Sequence, residues 1–149
     1  MKITCRIYSL LLLLILITGC TTLDQRTYSD DQGAIGGYDP VSYFTMHKAI
    51  KGKKDIVYNY HGATWHFSSE DNKTLFIRNP TMYLPQYGGY CAYAMHYGFI
   101  VSSDPQAWSI INDKLYLNYS KSVREKWLKH SKEYIQSADK EWVEKIENY

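Results

Sequence analysis

The residues best suited to chemistry lie in one short stretch, residues 85–98. It holds a thiol, a thioether and an imidazole in Cys91, Met95 and His96. If this segment is helical, Cys91 and Met95 share a face because they are four residues apart, and His96 follows directly. Soft sulfur ligands with an imidazole suit Cu(I). The alternative is that Cys91 and Met95 are core residues, since free cysteine is among the most buried residue types.

The same stretch offers a second kind of site, because it is rich in tyrosine beside two adjacent glycines. Gly88 and Gly89 allow positive φ or a close approach of the backbone to another group. Aromatic walls with a few polar tips are typical of pockets for small organic molecules, but also of a tyrosine-rich core. The candidate lining residues are Tyr38, Asp39, Tyr43, Tyr87, Tyr90 and Tyr93, with Tyr97 close to them in sequence.

The N-terminal residues have the layout of a bacterial signal peptide. Two basic residues precede an aliphatic run that is too short for a conventional membrane span. The run ends in Ile-Thr-Gly-Cys, which resembles a lipobox whose Cys20 becomes diacylated. We therefore expect a signal peptide over residues 1–19, a lipidated tether over 20–33 and one domain over 34–149. Because Thr21 is not Asp, resemblance to bacterial lipoproteins favours the outer membrane, with the domain facing the periplasm.

The charge and the cysteine content of the chain limit which partners it can bind and which disulfide bonds it can form. The first nineteen residues hold two of the 17 Lys and Arg and none of the 15 Asp and Glu, so the remaining chain is formally neutral. A neutral domain argues against nucleic acid as a partner. Cys5 leaves with the signal peptide and Cys20 carries lipid, so Cys91 has no intramolecular disulfide partner.

Hydrophobic patterning predicts an α+β domain, a small antiparallel sheet of short hairpins packed with helices. Residues 55–60 and 63–67 predict a hairpin around His61-Gly62, with Ala63, Trp65 and Phe67 on one face. A second hairpin is expected around Asn112-Asp113. Helix 69–78 would begin at a capping box of Ser68 and Asp71. Apolar spacing from Ser122, with Glu125 at capping-box distance, to Ile146 predicts one long C-terminal helix, with an interruption near Ser137 as an option.

Several of these motifs, in this order, resemble the YHS domain: residues 38–44 (YDPVSYF), residues 60–69 (YHGATWHFSS), and Phe76 followed by residues 79–83 (NPTMY). Residues 87–94 (YGGYCAYA) and 114–123 (KLYLNYSKSV) resemble the longer secreted branch of that family. The resemblance implies a compact α+β unit and an association with heavy metals.

The chain departs from the family at both positions where the metal-binding cysteines are expected. Ser42 and Ser68 stand there, and serine hydroxyls are poor ligands for soft metals. A substitute site would be built from Cys91, Met95, His96 and His66, which the family fold is expected to bring near one another.

Three functional classes follow. The first is a membrane-tethered binding domain outside the cytoplasm, with copper or another soft metal held through Cys91. The second is a domain that binds a small organic ligand or a protein and holds no metal. The third, an enzyme, is disfavoured: no residue is evidently placed to orient His96 as a base for Cys91, and the phosphate-loop, nucleophile-elbow and paired zinc-ligand motifs are missing from the sequence.

Overall fold

The computed structural model describes residues 26–149, which form an α+β domain of helices and three antiparallel hairpins. This confirms the predicted class and the long C-terminal helix, although the hairpins form three separate two-stranded sheets. The strands are β1 (Ser29–Asp30), β2 (Gly33–Ala34), β3 (Lys53–Tyr60), β4 (Ala63–Phe67), β5 (Asp104–Ile111) and β6 (Lys114–Asn118). The helices are α1 (Ser42–Thr45), α2 (Glu70–Arg78), α3 (Pro80–Tyr83), α4 (Ala92–Met95), α5 (Lys121–Leu128) and α6 (Ser131–Glu147), with 3₁₀ turns at Ile35–Gly37 and Gln86–Gly89.

The folded unit begins before the boundary that the sequence suggested. Thr27 is buried, and the amide of Tyr28 donates to the carbonyl of Gly88 at 2.8 Å. Residues 27–33, assigned to the tether from their polar composition, therefore belong to the domain. The signal peptide and Cys20 lie outside the described residues. Within residues 26–149, no helix is both long and apolar enough to cross a membrane.

The β3–β4 hairpin follows the predicted alternation. Ala63, Trp65 and Phe67 are buried, whereas Thr64 and His66 are half-exposed on the other face. The turn residues His61 and Gly62 both have positive φ, at 51° and 76°. Two successive residues with positive φ match the right-handed twist of the paired strands, so the turn fixes the register.

Two helix starts lie one or two residues from their predicted positions. Helix α2 is capped by Ser69, whose side chain accepts a hydrogen bond from the amide of Asn72 at 3.1 Å. Ser68 is not the cap, because its hydroxyl and amide both donate to Asp39. Helix α5 is capped by Ser120 rather than Ser122, through the amide of Val123.

The C-terminal segment is two helices, and the break lies at Lys129–His130 rather than near Ser137. Helix α5 tightens at its end, where the amides of Lys129 and His130 donate to carbonyls three residues back. The break redirects the chain, because α5 packs on β5 and β6 whereas α6 packs mainly on α4. Apolar periodicity continues through both helices, which is why the pattern alone suggested one.

Two hydrophobic clusters fill the interior, and strand β6 lies between them. The hairpin core contains Val41, Tyr43, Trp65, Phe67 and Phe76, with Leu115 and Leu117 from one face of β6. The helical core contains Tyr87, Tyr90, Met95, Trp127 and Ala138, with Tyr116 from the other face of β6. Alternation along a single strand therefore ties the two clusters together.

Candidate ligand-binding cleft

The first polar centre of the molecule is the carboxylate of Asp39, which is fully buried. Its Oδ1 accepts from the amides of Val41 at 2.9 Å and Ser42 at 3.4 Å. Its Oδ2 accepts from the Ser68 amide at 2.8 Å, the Ser68 hydroxyl at 2.6 Å and the Asn72 side chain at 2.7 Å. These donors come from three segments of chain, so Asp39 joins the start of α1, the end of β4 and helix α2.

This centre is also where the family resemblance places the metal-binding cysteines, and its residues do not fit a soft metal. The Ser42 hydroxyl lies 2.8 Å from the carbonyl of Asp39 and 2.9 Å from that of Lys48. The Ser68 hydroxyl donates to Asp39 itself. Both hydroxyls are used within the fold, and neither supplies the thiolate that a soft metal prefers. Asp39 was also a candidate ligand-binding residue, but its oxygens are turned inward to these donors.

Cys91 is enclosed by protein. It is only 1% exposed, and its Sγ accepts a hydrogen bond from the amide of Tyr119 at 3.2 Å. The thiol lies 3.8 Å from Oδ1 of Asn118, a fully buried side chain that also accepts from the amide of Tyr93. The environment of Cys91 is therefore that of a packed residue at the junction of α4 and β6.

The structure does not assemble the predicted metal set of Cys91, Met95, His96 and His66. Within residues 26–149, no group of three or more His, Cys, Asp or Glu side chains is arranged to hold a metal ion. Met95 is fully buried in the helical core, and the His96 ring contacts Tyr97 and Tyr134. The His66 ring lies 3.2 Å from the carbonyl of Lys53, across the β3–β4 hairpin. The short spacing of these residues in the sequence did not reveal that their side chains have different neighbours in the fold.

The predicted tyrosine pocket is also divided between the two cores. Tyr38 and the fully buried Tyr43 pack with the hairpin core, and the Tyr43 hydroxyl donates to the carbonyl of Pro105 at 2.9 Å. Tyr90 and Tyr93 pack with the helical core. Of the candidate tyrosines, Tyr87 lines a cavity among residues 26–149, and the others do not line it. Tyr38, Tyr43, Tyr90 and Tyr93 follow the alternative interpretation, a tyrosine-rich core, whereas Tyr97 is exposed.

That cavity is a cleft of about 470 Å³ between helix α6 and the segment from α3 to the Gln86–Gly89 turn. The tips of two hairpins close it, through His61 between β3 and β4 and through Lys114 at the start of β6. It lies beside Gly88, where a pocket favours the organic-ligand alternative over a tyrosine-rich core. Its lining residues are Arg26, Thr27, His61, Trp65, Thr81, Leu84, Pro85, Gln86, Tyr87, Gly88, Lys114, Asp139, Trp142, Val143 and Ile146.

The lining changes in character with depth. The buried and half-buried residues are mostly aromatic or aliphatic, including Trp65, Leu84, Pro85, Trp142 and Ile146. The exposed residues are mostly polar or charged: Arg26, His61, Thr81, Lys114 and Asp139, with Val143 as the apolar exception. The cleft therefore has an apolar interior and a polar rim.

A tight backbone arrangement builds the wall beside the chain entry. Tyr87 and Gly88 both have positive φ, at 55° and 60°. A Cβ on Gly88 would lie only 2.0 Å from the carbonyl oxygen of Arg26 and 3.2 Å from the Trp142 ring. Gly88 is required here because the entering chain crosses directly over it.

Tyr87 links this wall to helix α6. Its hydroxyl donates to Oδ1 of Asp139 at 2.8 Å, and its ring lies 6.3 Å from that of Trp142. Burial, together with the hydrogen bond to Asp139, raises the pKa of the Tyr87 phenol far above its usual value. The phenol therefore stays protonated and remains a donor to Asp139.

The sequence analysis did not identify most of the other residues that line the cleft. Asp139, Trp142, Val143 and Ile146 recur at i, i+3, i+4 and i+7, which places them on one face of α6. That spacing was visible, but it equally describes a face buried against the core. No local sequence pattern indicated that Arg26 and Lys114 line a cleft, because only the fold brings these two residues together.

Comparison with protein families assigns the first part of the domain. Residues 41–87 match the family model of the YHS domain. The chain contains a YHS domain. Searches of curated proteins and of solved structures gave no match.

The matched segment of the YHS domain ends at Tyr87, within the wall of the cleft. It supplies His61, Trp65 and Leu84 to the lining, whereas Lys114 and Trp142 lie beyond it. The cleft is therefore shared between the YHS segment and the C-terminal helices.

Proposed function

We propose that this chain is a non-enzymatic binding module that holds a small organic molecule in the cleft beside Gly88. The observation that carries this proposal is the cleft itself, about 470 Å³ in volume with aromatic and aliphatic residues inside and polar residues at the rim. Sites for small molecules are concave, mostly apolar and lined by a few placed polar groups, with volumes of about 300–1,000 Å³.

The buried part of the lining is what makes the cleft suitable for an organic molecule. Trp65 is fully buried, yet its indole nitrogen donates to the carbonyl of Tyr60 at 3.2 Å. Trp65 lines the cleft from the hairpin core, and its indole N–H is already bonded within the protein. A ligand in the cleft therefore leaves that hydrogen bond intact.

The chemistry of the other polar centres supports a binding role over catalysis. Asp39 accepts five hydrogen bonds and is fully buried, so it has no position from which to take a proton from a substrate. Cys91 is buried against Asn118 and the amide of Tyr119, neither of which is a base that would activate a thiol.

We further propose that the module is held at the bacterial envelope by lipid on Cys20, facing the periplasm from the outer membrane. The support is the lipobox-like sequence that ends at Cys20. Two acyl signals are needed for stable anchoring, and a diacylated cysteine supplies them.

The test is to identify what the full chain carries when it is taken from membranes in a native lipid nanodisc. The protein is denatured, and the released organic molecules are analysed by mass spectrometry. Val143→Trp fills the cleft from its rim, and Leu128→Trp on α5 is the matched control, since Leu128 is also an exposed aliphatic residue (39% against 47%) but lies outside the cleft. We expect a molecule enriched on wild type and on Leu128→Trp and depleted from Val143→Trp.

Equal recovery from all three proteins would refute the proposed site. The same samples, with Cys91→Ser added, also test the rival metal function, a copper ion held through Cys91. Copper at one equivalent per chain, lost in Cys91→Ser and unaffected by Val143→Trp, would replace the organic ligand as the proposed cargo.

A further inference from the structure

We propose that the cleft takes an anionic amphiphile, a molecule with one acyl chain and a negatively charged head group. This inference rests on the proposed function, because it names the ligand class of the same cleft. Three observations support it: the apolar interior, the charge at the rim, and the position where the chain enters the domain.

The interior suits an acyl chain. Leu84, Pro85, Trp142 and Ile146 line it without presenting a charged group. Val143 extends the apolar surface to the rim, where it is 47% exposed despite being aliphatic. Covering this surface with methylene groups is favourable by about 25 cal/mol per Å² of apolar area removed from water.

The rim suits an anionic head group. Arg26 and Lys114 are exposed cations, and neither takes part in the ion pairs found among residues 26–149, which join Lys73 to Glu70 and His130 to Glu133. The guanidinium of Arg26 lies over the ring of Tyr149, at 5.4 Å from its centroid. Asp139, the acidic residue in the lining, already accepts the hydrogen bond of the Tyr87 phenol. The two cations are therefore available to a carboxylate or phosphate.

The cleft lies close in sequence to the proposed lipid anchor, because the first residues of the domain form part of its lining. Arg26 and Thr27 line the cleft, and Cys20 precedes Arg26 by six residues. Six extended residues reach about 20 Å. Lipid on Cys20 would hold the opening of the cleft within that distance of the bilayer, where single-chain amphiphiles are found.

The test uses the full lipidated chain in vesicles of phosphatidylcholine, with palmitic acid that carries a photoreactive diazirine near the end of its chain. Its methyl ester is the control for charge, and lysophosphatidylglycerol with the same acyl chain tests a phospholipid source. After illumination, the labelled peptides are identified by mass spectrometry. We expect the acid to label peptides that contain Leu84 or Trp142, and the ester to label them much less.

Charge reversal at the rim tests the head-group contact. In the Arg26→Glu, Lys114→Glu double variant we expect labelling by the acid to fall about ten-fold, the equivalent of 1.4 kcal/mol. The matched controls are Lys126→Glu alone and the Lys126→Glu, Lys129→Glu double variant. Both lysines are exposed, in and directly after helix α5, and lie outside the cleft. Labelling of both controls should equal that of wild type.

Labelling by either anionic probe supports the proposal, and the stronger of the two identifies the source. Equal labelling by acid and ester, or labelling that is insensitive to both charge reversal and Val143→Trp, would overturn it. The proposed function is judged separately, because an organic molecule that co-purifies with wild type but is uncharged would uphold the site and reject this ligand class.

Discussion

The hairpin core and the helical core differ in how completely the buried polar groups around them are hydrogen-bonded. Around the hairpin core, Asp39, Ser42 and Asn72 are all buried and all hydrogen-bonded. Among residues 26–149, four buried atoms have no hydrogen-bond partner. One is Oγ of Ser29 in β1, and three lie around the helical core: Nδ1 of His96, Nδ2 of Asn118 and Nε1 of Trp127. A buried polar atom without a hydrogen-bond partner lowers the free energy of unfolding. The region around the helical core therefore bears a stability cost that the polar groups around the hairpin core avoid.

This contrast assigns different roles to the two regions. The YHS match covers most of the hairpin core and the four residues that donate to Asp39, which itself lies two residues before the match. Together they form a fully bonded frame. The cleft opens on the other side, where Tyr87, Trp142 and the entering chain meet. The fully bonded frame and the proposed ligand site therefore lie in different parts of the domain, and unsatisfied polar atoms are concentrated near the second, as is common at functional sites.

The largest effect is expected at the centre of the frame. Asp39→Ala leaves up to five donors without their acceptor: three are buried, on Val41, Ser42 and Asn72, and two are part-buried, on Ser68. Each unmade buried bond costs about 1–3 kcal/mol, so we expect a loss of about 4 kcal/mol or more in the free energy of unfolding. Urea unfolding followed by tryptophan fluorescence measures it. Asp113→Asn, at an exposed turn, is the control and should change stability by less than about 0.5 kcal/mol. Similar losses in both variants would show that the Asp39 centre is not the frame.

The next effect tests the wall of the cleft. Gly88 and Gly62 both have positive φ, but a Cβ on Gly62 meets no atom within 4 Å, whereas one on Gly88 clashes with Arg26. We expect Gly88→Ala to cost about 2 kcal/mol more than Gly62→Ala, because it adds overpacking to the same backbone strain. Hydrogen exchange of the Tyr28 amide, which donates to Gly88, should also accelerate. Equal costs would mean that the entering chain does not cross Gly88 in solution.

A matched pair of buried tryptophans sharpens the comparison of the cores. Trp65 and Trp127 are both fully buried, but the indole N–H of Trp65 donates to Tyr60 whereas that of Trp127 has no partner among the described residues. Changing each to Phe removes similar volume. We expect Trp65→Phe to cost about 1 kcal/mol more than Trp127→Phe, measured by thermal and urea unfolding. The reverse order would contradict the contrast between the two regions.

The smallest effect concerns alkaline pH. Burial raises the pKa of Tyr116 from 10.0 to about 12, so above pH 10 the unfolded chain loses this proton while the folded chain retains it. The stabilisation is complete below pH 10 and is lost as the pH rises towards 12. Wild type should therefore become less stable over this range, and Tyr116→Phe should lose less. Tyr119→Phe, at an exposed position, should follow wild type.

The sequence predicted local structure well where the signal was short-range. The β3–β4 hairpin follows from alternation and from His61-Gly62, and the helix at residues 70–78 ends at Asn79-Pro80 as expected. The errors arose where a tertiary contact competed with a local motif. Ser68 matched a capping box, but Asp39, 29 residues away, accepts both of its hydrogen bonds. The break after α5 was missed because apolar spacing continues through it.

The candidate sites show the same limit. Gly88 and Tyr87 could be selected from the sequence, because adjacent glycines signal an unusual backbone. Cys91 could not be assigned as a ligand or a core residue, since its burial depends on Asn118 at the end of β6 and on Tyr119 directly after it. Nor could Arg26 and Trp142, more than one hundred residues apart, be placed in one cleft.

The sequence by itself therefore determined the α+β class, the YHS segment and the central hairpins, because alternation, turn residues and motif order act over a few residues. The tertiary structure decided that Asp39 is the centre of the frame, that Cys91 is enclosed, and that α6 completes the cleft with the entering chain. These features depend on contacts between residues far apart in the chain. Such contacts form only when burying apolar surface outweighs the entropy of closing long loops.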